Sequence, residues 1–130
     1  MTNRTTRAPA VAERATAAPP DIALMRETVG FLLDPDAIAL APAGDELGKL
    51  TRTVRGHLEL LMPVVERAAG RLERESVHRY CALACVGEAR GKLRAEPSGA
   101  FGGALLYARK LARVLNALCD HYEKIGGERP

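Results

Sequence analysis

The sequence has no tryptophan, and its aromatics are limited to Phe31, Tyr80, Phe101, Tyr107 and Tyr122. Any core must therefore be aliphatic. β-Branched residues are sparse and nowhere alternate with polar ones, so no strand pattern is present. No run of about 20 apolar residues exists, which predicts no membrane-spanning helix. The first residues lack an apolar stretch after their arginines, so no secretory leader is expected either. There is no CxxC pair, no HExxH, no GxSxG and no glycine loop followed by Lys-Ser/Thr. These absences remove the recognisable zinc, hydrolase and nucleotide-binding signatures. No cofactor is expected, and the chain reads as non-enzymatic.

What remains is rich in leucine and alanine, both strong helix formers. Hydrophobic residues make up 47% of the 130 positions, which suits one globular domain and is too many for a disordered chain. Arginine far outnumbers lysine, a bias that fits a GC-rich genome. The three cysteines, Cys81, Cys85 and Cys119, form an odd set. In a chain without a leader they are expected to be reduced, and the chain is placed in the cytoplasm.

The net charge of +3 is unevenly spread. Residues 1–20 carry +2, residues 21–50 carry −4, residues 51–95 carry +4 and the remainder +1. A mildly basic body behind an acidic front segment is not the dense basic stripe of a nucleic-acid binder. Binding of DNA through the arm and Arg52, Arg55, Arg67, Arg71 and Arg74 is the weakest of the functional readings.

The spacing predicts an all-α fold, a small antiparallel bundle of three to four helices behind a disordered N-terminal arm. Residues 1–20 lack large apolar side chains and form the arm. Residues 21–126 form the bundle, and residues 127–130 a disordered tail. Asp21 caps a first helix that Asp34-Pro35-Asp36 ends. Residues 37–44 form an extended connector. A second helix over 45–69 carries a 3-4 pattern of Leu47, Leu50, Val54 and Leu58, with Pro63 kinking it and Gly70 ending it as a C′ residue. A third helix has Glu73, Glu75 and Ser76 in its first turn and Arg90, Lys92 and Arg94 in its last. Ala84, Gly87 and Gly91 give it a small-residue stripe that would let a neighbouring helix approach closely. A bulkier second face suggests that this helix is central and contacted from two directions. A fourth helix runs from Ala100 to Ile125, with Ser98 as its N-cap.

Several groups of residues are candidates for function. His78, Cys81, Cys85 and Glu88 share one stripe of the third helix, and thiolate and imidazole ligands from it could hold a metal. Cysteine as a buried filler is the competing and favoured reading. Glu88 could pair with Arg109 or Arg113, which share a face of the fourth helix that Asn116 continues. Alternatively the two arginines could form an anion pocket. His121 would complete a ligand site built from His78, Glu88, Arg109, Arg113 and Asn116 between the third and fourth helices. His57 reads as a hydrogen-bonded boundary residue. Leu47, Leu50, Val54 and Leu58 are the candidate interface for a protein partner or a second copy of the chain.

The segments CALACVGEARGKLR (81–94) and YARKLARVLNALCDHYE (107–123) resemble a family of small actinobacterial helical proteins of unknown function. The resemblance covers roughly residues 45–125. Members are labelled natural-product biosynthesis proteins because of their gene neighbourhood. The resemblance implies that setting, but no activity and no functional residues. The sequence therefore predicts a helical interaction or regulatory module, possible self-association, and, as the alternative, a small-ligand or metal-binding accessory.

Overall fold

The computed structural model describes residues 19–35 and 41–126. Most of the arm, the C-terminal tail and residues 37–40 of the connector expected at 37–44 lie outside the described residues. Within them are four helices: α1 (Ile22–Leu33), α2 (Gly44–Gly70), α3 (Val77–Arg94) and α4 (Gly103–Gly126). The all-α bundle expected from the sequence is the fold.

Local signals explain most of the boundaries. The Asp21 carboxylate accepts from the Leu24 N–H at 3.0 Å and starts α1. Asp34, held extended before Pro35, ends it. α2 begins without a side-chain cap but has Asp45 and Glu46 in its first turn, where the helix dipole favours them. Pro63 lies inside an unbroken α2. Both Pro63 and Glu59, whose carbonyl loses its backbone donor to the proline, are exposed, so water can replace the missing bond. Gly70 is the last helical residue rather than a left-handed C′ residue, and the helix closes on Arg71 in a right-handed conformation. Ser76 caps α3 by accepting from the Arg79 N–H at 3.2 Å, which leaves Glu73 and Glu75 ahead of the helix.

The start of α4 differs from expectation. The Ser98 hydroxyl accepts from the Ala100 N–H at 3.0 Å and makes a local turn instead of a cap. Two glycines then carry the chain into the helix. Gly102 sits at φ +80°, in the left-handed region. A Cβ on Gly103 would lie 2.1 Å from the Ser98 carbonyl oxygen, so only glycine fits there.

The core is aliphatic, as the shortage of aromatics requires. Val54, Leu58, Leu61 and Val65 of α2, Leu111, Leu115 and Leu118 of α4, Val86 of α3 and Leu32 of α1 are all buried in one cluster. α4 is the central helix and packs against all three others, whereas α1 rests mainly on α4 and touches α2 sparsely. The expected central position of the third helix is therefore corrected. Its bulkier side, with Ala82, Val86 and Ala89, is buried. Its small-residue stripe is not: Ala84 and Gly87 are exposed, and a Cβ on Gly87 or Gly91 would meet nothing within 4 Å.

Candidate functional site

Arginine side chains do much of the work between helices. Arg109 of α4 donates to the Leu32 carbonyl oxygen at 3.0 Å, at the end of α1. Arg79 of α3 reaches the carbonyl oxygens of Ala69, Gly70 and Leu72, at the end of α2. Arg55 of α2 donates to the Leu93 carbonyl oxygen at 3.2 Å, at the end of α3, and also to the Tyr107 hydroxyl. The last carbonyls of a helix lack backbone partners and carry partial negative charge. A guanidinium with five donors is suited to that position. Three of the four helix C-termini are thus held by an arginine from another helix.

Arg26 forms a further link between α1 and α4. It donates to Asn116 Oδ1 at 2.7 Å, Asp120 Oδ1 at 2.8 Å and Glu123 Oε1 at 2.7 Å. Burial pulls its pKa down, but the hydrogen bonds and charges of Glu123 and Asp120 outweigh this, and the net shift is upward.

These contacts reassign several of the predicted site residues. Arg109 and Asn116 are engaged in holding α1 and do not face a pocket together. Glu88 pairs with Lys92 one turn along α3, at 3.8 Å, rather than with an arginine of α4. His78 is exposed and His121 half-buried, and neither is hydrogen-bonded among the described residues. His57 is half-buried against Thr28, whose Oγ1 lies 3.3 Å from Nε2. Desolvation lowers its pKa, partly opposed by the charge of Asp21.

The cysteines divide by environment. Cys85 and Cys119 are buried, and Cys81 is exposed. Burial pushes the Cys85 and Cys119 thiols up to about 11; nearby carboxylates add to the effect at both, and the Arg26 charge opposes it at Cys119. Among the described residues no three His, Cys, Asp or Glu side chains are grouped to hold a metal ion. The proposed His78, Cys81 and Cys85 set therefore does not converge, because the third residue points inward while the first two face solvent.

The α2 seam is also relocated. Val54 and Leu58 are fully buried, Leu47 nearly so, and Leu50 packs partly buried against the same core. Their apolar stripe is covered by the chain's own helices and leaves nothing for a partner.

Two features of the described residues bear on function. The first is the outer face of α3. Val77 and Tyr80 are 71% and 75% exposed, and Cys81, Ala84 and Gly87 continue the same stripe. The second is a groove of about 260 Å³ between α3 and α4, lined by Glu88, Lys92, Lys110, Arg113, Val114 and Ala117. Glu88 and Arg113 were expected near such a site. Lys92 and Lys110 were not, because their shared groove depends on how two helices cross.

The model of a family of unknown function, DUF6415, matches residues 23–127. The chain belongs to this family. The match spans all four helices, including α1, which lay outside the resemblance noted in the sequence. No curated protein and no solved structure matches the chain.

Proposed function

We propose that this DUF6415 chain is a non-enzymatic helical interaction module that self-associates through the outer face of α3. The observation that carries the reading is that this face combines exposed Val77 and Tyr80 with the open Ala84, Gly87 and Gly91 positions. Large side chains at one end and missing side chains at the other are self-complementary. An antiparallel pairing about a two-fold axis near Ala84 places Val77 and Tyr80 of one copy over the Gly87–Gly91 gap of the other. The same pairing sets Glu73 and Glu75, which flank Arg74, near the Lys92 and Arg94 end of the second copy. A parallel pairing would bring like ends together.

The helix is 18 residues long, or roughly 27 Å. One face of that length covers less than the ~800 Å² per partner of standard interfaces, so association is weak and concentration-dependent. The free thiols Cys81, Cys85 and Cys119 suit the cytoplasm. A supporting rather than catalytic place in natural-product biosynthesis is in keeping with the resemblance in α3 and α4.

Sedimentation equilibrium across a concentration series tests the reading. A monomer–dimer equilibrium is expected, shifted to monomer by Gly87→Gln with Gly91→Gln, which fills the gap without changing charge. Both positions are sterically open in the monomer, so the variant keeps its fold. A chain that stays monomeric throughout, or a dimer indifferent to the variant, overturns it.

A further inference from the structure

We infer that the groove between α3 and α4 binds a small organic anion, a carboxylate or phosphate ester with a compact apolar body. Three cations and one carboxylate line it: Lys92, Lys110 and Arg113 against Glu88. Glu88 reaches Lys92 at 3.8 Å. Lys110 and Arg113 have no hydrogen-bond or ion-pair partner among the described residues. Arg26, Arg55, Arg79 and Arg109 are each engaged with another element, whereas Arg113 lines the groove with its donors free of protein partners among the described residues.

Lys110 and Arg113 are three apart on one helix, a spacing at which like charges repel. Lys92 adds a third positive charge from the facing helix. A concave site with an excess of positive charge concentrates anions, and an anion there relieves the repulsion. Arg113 can meet a carboxylate or phosphate with two parallel hydrogen bonds, while the lysines act as point charges.

The rest of the groove limits what enters. Val114 and Ala117 form an apolar wall on α4. At about 260 Å³ the volume lies just under the usual ~300–1,000 Å³ of small-molecule pockets, so the body of the ligand is about one ring in size. Glu88 repels a second anionic group and can accept a hydrogen bond from a hydroxyl or ammonium on the same ligand. Lys110 and Arg113 belong to α4 and lie off the Val77–Gly91 stripe of α3, so these two cations of the site take no part in the proposed pairing, whereas Lys92 sits at its edge.

The test is a titration of the full ¹⁵N-labelled chain with phenyl phosphate and, separately, with inorganic phosphate, followed by amide chemical shifts. Saturable shifts in residues 88–92 and 110–117 are expected. Phenyl phosphate should bind about tenfold more tightly than phosphate because of the apolar wall, a ratio equivalent to about 1.4 kcal/mol. Arg113→Ala and Lys110→Ala, both at exposed positions, should each weaken binding about tenfold or more while leaving helical content unchanged. The same binding should survive in the Gly87→Gln, Gly91→Gln chain, which separates this site from the dimer face. Absence of saturable shifts up to about 10 mM overturns the inference, as do shifts scattered over other arginines and unaffected by Arg113→Ala.

Discussion

Arg109 Nε lies 3.0 Å from the carbonyl oxygen of Leu32, joining α4 to the last turn of α1 across 77 residues of sequence. Replacing Arg109 with methionine keeps the stem and removes the donor. The Leu32 carbonyl then loses its charged partner, at a cost of about 1–2 kcal/mol. Thermal unfolding followed by circular dichroism should show a midpoint lower by several degrees. Arg109→Lys should recover only part of the loss, because it lacks the guanidinium fork.

The Arg26 cluster gives a more local prediction. Its guanidinium side chain is 32% exposed and binds both Asp120 and Glu123. Arg26→Ala should speed amide hydrogen exchange across α1 while leaving Val54 and Leu115 protected. High salt should reproduce part of the effect in the unaltered protein. Uniform acceleration in all four helices would show that α1 is not held separately.

His57 sets a pH dependence. Its folded pKa is lowered from 6.5 by desolvation, so the native state favours the neutral ring. In the window below 6.5 the unfolded chain binds more protons than the folded one. The His57 contribution is therefore complete above that window and is lost as pH falls through it. Urea melts at pH 7.5 and 5.5 should show lower stability at the acidic value. His57→Gln should reduce the difference.

The cysteines should react in two classes. Cys81 is exposed, whereas burial raises the Cys85 and Cys119 thiols to about 11. At pH 8 a disulfide reagent such as Ellman's should titrate one thiol quickly in the folded chain and all three after denaturation. Two fast thiols would contradict the burial of the α3–α4 contact. Because these two pKa values are raised, their stabilising contribution is present below 9.0 and declines as pH rises toward 11.

Two glycines should respond in opposite directions to alanine. At Gly103 the new Cβ would sit 2.1 Å from the Ser98 carbonyl, so the turn must distort and stability should fall by about 1–3 kcal/mol. At Gly87 the Cβ meets open space, and stability should rise by up to about 1 kcal/mol from helix propensity. Paired denaturant melts measure both.

The bundle itself was legible because its causes are local. Asp21, Asp34-Pro35 and Ser76 mark boundaries through short-range hydrogen bonds and proline sterics, and the 3-4 rhythm of Leu47, Val54 and Leu58 marks a buried stripe. Periodicity says that a stripe is covered but not by what, and so a core face was read as an interface. Small residues carry the opposite ambiguity: Ala84, Gly87 and Gly91 suit a close neighbour or no neighbour equally. The start of α4 was misplaced because Ser98 hydrogen-bonds a turn in the same way that it would cap a helix. Glu88 and Arg113 were found in the sequence, but Lys92 and Lys110 belong to the groove only through the crossing of α3 and α4. The partners of Arg26, Arg55 and Arg109 lie 38 to 97 residues away, beyond any pattern within one helix.

The three arginine caps also bear on how the chain comes apart. Helix ends ordinarily fray one residue at a time, and the cost of each step is small. Here the final carbonyls of α1, α2 and α3 are each bound by a side chain rooted in a different helix. Unwinding a last turn therefore means breaking a tertiary contact. Fraying at these ends is thereby tied to the packing between helices, which raises its cost above that of an end capped only by its own backbone.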